Sequence, residues 1–136
     1  MNVKRWLLAS VVALVFISVF GYVVHEVLLA DLYKQTASAW RPEADMDRMM
    51  WMMSLGGAIF ALAFTWIYAK GYEASKAGLG QGLRFGVYIW VLTSVAFNLS
   101  WYVILPIPAV LPVYWTISGL IESLGMGAIV GLLYKP

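Results

Sequence analysis

Hydrophobic positions along this 136-residue chain neither alternate nor stop after a single helix face. They run on through residues 6–30, about 49–69, about 83–105 and about 113–134, interrupted only by isolated polar residues. Crossing roughly 30 Å of hydrocarbon takes about 20 helical residues, and within oil every backbone amide must be paired inside its own segment. Barrel strands would alternate and need only about 9–11 residues. The pattern therefore predicts an all-α integral membrane protein, a single four-transmembrane-helix bundle spanning 1–136 and built as two helical hairpins.

The interruptions differ in kind. Residues 31–48 mix charges with Tyr33 and Trp40, and read as an interfacial stretch carrying a short amphipathic piece. Arg41-Pro42-Glu43 reads as a helix start, with Glu43, Asp45 and Asp47 at the positive end of the helix dipole. Gly78-Leu79-Gly80-Gln81-Gly82 reads as a loop without the spacing of a dinucleotide fingerprint, and 106–112, with its three prolines, as a stiff uncharged turn. Lys4-Arg5 ahead of an apolar run looks like a signal peptide. Its apolar core over 6–24 nevertheless exceeds the usual 7–15 residues, so it is read as an uncleaved span.

Composition agrees with this pattern. The chain is 62% hydrophobic and 12% charged, against about 25% charged in soluble domains, and its net charge is only +2. A soluble domain, a disordered chain and a nucleic-acid partner are excluded on those grounds. With no Cys there is neither a disulfide framework nor a thiolate metal site. The cations supply orientation: Lys4, Arg5, Lys70, Lys76, Arg84 and Lys135 fall on one side, and Lys34, Arg41 and Arg48 on the other. The richer side marks the cytoplasm, so both termini are expected inside. Arg84, Lys70 and Lys76 are expected to meet anionic headgroups. Trp6, Trp66, Tyr68 and Tyr134 on that side, and Trp40, Trp51, Trp101, Tyr102 and Tyr114 on the other, read as aromatic belts.

Small residues mark where helices touch. Gly119, Ser123, Gly127 and Gly131 recur every four residues, and Gly57, Ala61, Thr65 and Ala69 form a matching ridge. These ridges pack helices within the chain or, alternatively, form a homodimer seam.

Ionisable groups inside a membrane are costly and therefore candidates for function. Glu122 stands near the middle of the fourth span, among Ser118, Gly119, Gly125 and Met126. It reads either as a structural carboxyl linking helices or as a proton- or substrate-exchanging one. His25 and Glu26 lie a turn inside the end of the first span, within reach of Tyr22. With Asn98 on the third span, beside Ser94, the expectation is that His25, Glu26, Asn98 and Glu122 converge on one partly polar cavity in the outer half. Met46, Met49, Met50 and Met53 share one face, where thioethers would suit Cu(I) with His25, or would simply fill gaps.

The chain resembles a group of small four-span bacterial inner-membrane proteins known only as a domain of unknown function. The likeness covers most of its length and rests on His25-Glu26-Val27-Leu28-Leu29, Trp40-Arg41-Pro42-Glu43, Gly82-Leu83-Arg84-Phe85-Gly86, Leu105-Pro106-Ile107-Pro108, Gly119-Leu120-Ile121-Glu122 and Gly131-Leu132-Leu133-Tyr134-Lys135-Pro136. This resemblance implies the fold and a bacterial inner membrane, but no activity. Small multidrug exporters are also four-span and depend on one membrane carboxylate. They carry it in the first span, whereas Glu122 is in the fourth.

Three functions follow as expectations. The first is a non-enzymatic accessory subunit binding protein or lipid partners, in a homodimer or larger membrane complex. The second is a proton-coupled carrier of small solutes using Glu122, and the third a copper, haem or quinone site at His25 and the methionines. No nucleophile–base pair or metal triad points to an enzyme, and no cofactor is required.

Overall fold

The computed structural model describes residues 1–136, and every element in it is helical. Helix α1 covers Val3–Leu28, the short α2 Ala30–Gln35, α3 Glu43–Lys70, α4 Gly78–Ile104 and α5 Val110–Leu133. A single 3-10 turn at Ala37–Ala39 links α2 to Trp40. Four of these helices, α1, α3, α4 and α5, are long and apolar enough to cross a membrane. Their outward faces carry Leu, Val, Ile, Phe and Trp side chains in the open. The accessible surface is 8561 Å², against about 7,100 Å² for a compact soluble monomer of this mass.

One helix start falls where Arg41-Pro42-Glu43 predicted it, and another does not. Helix α3 begins at Glu43 with Pro42 as its cap residue, so its first turns carry Glu43 and Asp45. Helix α4 begins at Gly78, which turns the expected glycine loop into helix. Its glycines lie directly on those of α5. A Cβ on Gly78 would strike the Gly131 carbonyl oxygen, one on Gly82 the Gly127 oxygen, and one on Gly86 the Ser123 oxygen. Glycine loses conformational entropy in a helix, but here its bare backbone allows two helices to meet carbonyl against Cα.

The ridge of Gly119, Ser123, Gly127 and Gly131 thus packs on α4, not on the Gly57–Ala61–Thr65 ridge of α3. Because α4 already covers it, it is no free seam for a second copy. The α3 ridge packs on α1 instead: Gly57 faces Leu14 and Ile17, and the buried Ser10 and Thr65 hydroxyls hydrogen-bond each other. Thr65 also donates to the Ala61 carbonyl at 2.9 Å or Ser10 to the Trp6 carbonyl at 2.8 Å, so neither hydroxyl is stranded.

The termini lie at the same end, where Arg5 donates to the Leu133 carbonyl at 3.3 Å and Trp6 to the Leu62 carbonyl at 3.2 Å. The core sits at this end as well, with Ala9, Ala13, Ala61, Phe64, Met126 and Val130 at its centre. Tyr68 (3% exposed) and Tyr134 (1%) belong to it rather than to a lipid-facing belt. They stack edge-on with each other and with Tyr72, and Phe64 meets Phe85 at 4.7 Å between ring centres. Trp66 stays outside, beneath the Lys70 ammonium at 5.4 Å.

The α3–α4 connection is closed by side chains. Gln81, 5% exposed, accepts from the Glu73 amide at 3.0 Å and donates to the Glu73 and Lys76 carbonyls. Lys76 and Arg84, expected at lipid headgroups, pair with Glu73, Arg84 at 2.6 Å. The Lys76 hydrogen bond, with Arg84 beside it, holds the Glu73 carboxyl below the usual carboxylate range, against the opposing effect of desolvation.

At the opposite end the helices separate. The first fourteen residues of α3, through Gly56, are exposed apart from the half-buried Met49. The space left between α3, α4, α5 and the end of α1 is the principal cavity of the molecule.

Candidate functional site

The cavity has a volume of about 640 Å³. Helix α5 supplies Trp115, Ser118, Gly119, Glu122 and Ser123, and α4 supplies Thr93, Ser94, Phe97, Asn98 and Trp101. Met46 and Phe60 come from α3, His25 from α1, and Trp40 and Arg41 from the linker. Of the four residues expected to converge, His25, Asn98 and Glu122 line it. Glu26 does not; it is exposed, one residue further around the helix, where adjacent side chains diverge by about 100°. Tyr22 is also exposed and outside the lining, whereas Ser118 and Ser94 are within it.

Glu122 is half-buried and takes part in no hydrogen bond or ion pair with the protein. No buried side-chain oxygen or nitrogen in the structure lacks a partner, so the free Glu122 oxygens stand on the accessible wall. Asn98 is oriented by donating to the Thr116 hydroxyl at 3.0 Å, and Thr116 in turn donates to the Pro112 carbonyl at 2.7 Å. Asn98 also borders a second cavity of about 320 Å³, which Thr116 lines. Ser94 lies against Gly119, where a Cβ would displace its side chain.

Both segments of π-helix in the chain border this space. Val23–Leu28 contains His25, and Val91–Val95 contains Thr93 and Ser94. An extra residue in a turn re-aims the side chains around it, and such bulges recur at functional sites. In α4 the Thr93 hydroxyl takes the Ile89 carbonyl at 2.8 Å, a side-chain bond that competes with the regular backbone ladder.

Sequence reasoning passed over Tyr33 as a site residue. Its hydroxyl lies 2.6 Å from His25 Nδ1 and accepts from Trp115 Nε1 at 2.8 Å. Trp115 can only donate, so the Tyr33 O–H remains free to donate to a neutral His25 ring. Trp40 completes the group, edge-on to Tyr33 at 5.6 Å and to Trp115 at 6.2 Å, with its ring nitrogen donating to Thr36 at 3.0 Å. These contacts strap the linker across the end of the cavity. Burial raises the Tyr33 hydroxyl above its ordinary value of 10.0, the Trp115 donor lowers it in part, and nearby Glu26 raises it further, so it stays protonated.

The methionine face does not assemble here. Met46 alone lines the cavity with His25, while Met50 and Met53 are 45% and 72% exposed. No group of three His, Asp or Glu side chains comes together. The donors at the wall are one imidazole and one thioether, a thin set for copper or haem.

Searches against protein-family models, curated proteins and solved structures return no match for this chain. The site offers an aromatic-walled space with an unpaired carboxylate and two serine hydroxyls deep inside, and a cation at the mouth.

Proposed function

We propose that this chain is a multi-pass protein of the bacterial inner membrane, with both termini cytoplasmic, whose task is to hold a small amphipathic molecule rather than to transform one. It acts as a non-enzymatic accessory bundle. The observation that carries this reading is the cavity: about 640 Å³ of space between helices, apolar and aromatic on its sides, with a few polar groups aimed inward. Small-molecule sites have this size and this mixture. The side assignment follows from the cations, six of which lie toward the closed end and three toward the cavity end; the mouth then faces the extracytoplasmic side.

The test is purification in mild detergent followed by mass spectrometry of whatever is retained. Wild type is expected to keep a non-bulk lipid or small molecule near stoichiometry, and the cavity-filling variant Ser118→Phe to lose it while still folding. Equal retention by both proteins, or none by wild type at saturating supply, overturns the reading.

A second reading is favoured by one specific observation, the unpartnered Glu122. A carboxyl that no protein group satisfies is free to exchange a proton for a solute, which makes the bundle a carrier. Uptake into proteoliposomes driven by a pH gradient, lost in Glu122→Gln at equal protein density, would mark it; no flux in wild type would remove it.

A further inference from the structure

The lining is asymmetric in a way that selects among amphipathic molecules. Deep in the cavity the free polar atoms are oxygens: the Glu122 carboxylate and the Ser94 and Ser123 hydroxyls. Of the fixed N–H donors nearby, Trp90 Nε1 is committed to the Thr116 carbonyl at 2.8 Å and Trp115 Nε1 to Tyr33, Asn98 spends one of its two N–H groups on Thr116, and Trp101 Nε1 makes no bond to the protein. The walls around the oxygens are the rings of Phe60, Phe97, Trp101 and Trp115.

The one permanent cation, Arg41, comes from the linker beside Trp40, and Trp40 packs on Trp115. Glu122 is seven residues further along α5, about 10 Å deeper. Arg41 therefore stands at the mouth and leaves the carboxylate unpaired. His25, the other basic group of the lining, is tied to Tyr33 in the same outer layer.

We propose, resting on the cavity-binding reading above, that the occupant is an organic ammonium ion, its charged head on Glu122 and its apolar body against Trp101, Trp115 and Phe97. A carboxylate beneath aromatic faces attracts such an ion twice, through charge and through the ring quadrupoles. A bare divalent metal is poorly served, because Glu122 is the only acidic residue of the lining and its one imidazole, His25, is tied to Tyr33 in the outer layer. An anionic molecule would meet Arg41 at the surface and repulsion below. The ammonium has two natural sources, a lipid headgroup or a free solute.

The experiment needs no mutation to begin. The full chain in uncharged maltoside micelles is titrated with benzyltrimethylammonium and with neopentylbenzene, its neutral carbon isostere, and binding is read by ligand-observed NMR and by tryptophan fluorescence. Saturable binding of the cation at least tenfold tighter than the isostere is expected. Glu122→Gln should lose at least tenfold for the cation and little for the isostere, Glu122→Asp should retain part of the preference, and Arg41→Ala should bind the cation as well as wild type or better. Competition by added phosphatidylethanolamine identifies a headgroup as the source, and its absence a soluble ammonium.

Equal binding of the two probes, or a Glu122→Gln protein that keeps the preference, overturns the ammonium proposal and leaves the cavity reading standing. Saturable binding of neither probe overturns both.

Discussion

Replacing Gly82 with alanine tests directly what holds α4 to α5. The new methyl carbon would lie 3.0 Å from both the Gly127 carbonyl carbon and the Gly131 Cα, and closer still to the Gly127 oxygen. These are backbone atoms, so no rotamer change relieves the clash, and the helices must part by on the order of 1 Å. Overpacking of this kind costs about 1–3 kcal/mol, and parting at Gly82 also loosens the adjoining Gly78–Gly131 and Gly86–Ser123 contacts. Alanine returns up to about 1 kcal/mol in helix propensity. The net expectation is a loss of about 1–2 kcal/mol. Reversible unfolding in mixed micelles of anionic and non-ionic detergent, followed by far-ultraviolet circular dichroism, measures it. Gly56→Ala and Gly80→Ala are the controls, since a Cβ at either meets nothing within 4 Å; both should be neutral or slightly stabilised. Gly119→Ala should fall between, because it meets the Ser94 side chain, which can rotate. If Gly82→Ala unfolds together with Gly80→Ala, close backbone approach is not what binds these helices.

Two further outcomes are expected. Tyr33→Phe removes both hydroxyl bonds of the linker strap; at about 0.5–1.5 kcal/mol each, amide exchange across 30–40 should accelerate tenfold or more, and unchanged exchange would show that the strap is not held there. Glu73, whose carboxyl is held low by Lys76 and Arg84, stabilises the α3–α4 connection above the unfolded carboxylate pKa. That contribution disappears as pH falls through the lower folded value, so NMR shifts of 73–84 should hold steady from neutral pH to about pH 5 and move below about pH 4. In Glu73→Gln that acid transition should be absent.

The sequence showed the four long helices because their signal is length and apolarity, which no tertiary contact need supply. It showed Glu122, His25 and Asn98 for a related reason, as polar groups in apolar runs stand out singly. Three features were not legible. Gly78-Leu79-Gly80-Gln81-Gly82 carries a loop composition in water, and only the facing Gly127 and Gly131 turn it into the start of a helix. The π-helical turns at Val23–Leu28 and Val91–Val95 are too short to alter a periodicity. Tyr33 depends on Trp115, 82 residues away, and nothing local announces that pairing. The mutual spacing of the two small-residue ridges was visible, but not which helix each would meet, since every ridge of that kind fits every other.

The unequal ends of the bundle give α3 the character of a lever. Its last support is the contact of Gly57 with Leu14 and Ile17, and Glu43 lies 14 residues beyond, about 21 Å away. A swing of about 10° about that point would carry the tip through about 4 Å. Met46 would travel with the tip while Phe60, next to that support, would scarcely shift. Such a swing would change the aperture above Glu122 and leave the glycine contacts of α4 and α5 undisturbed.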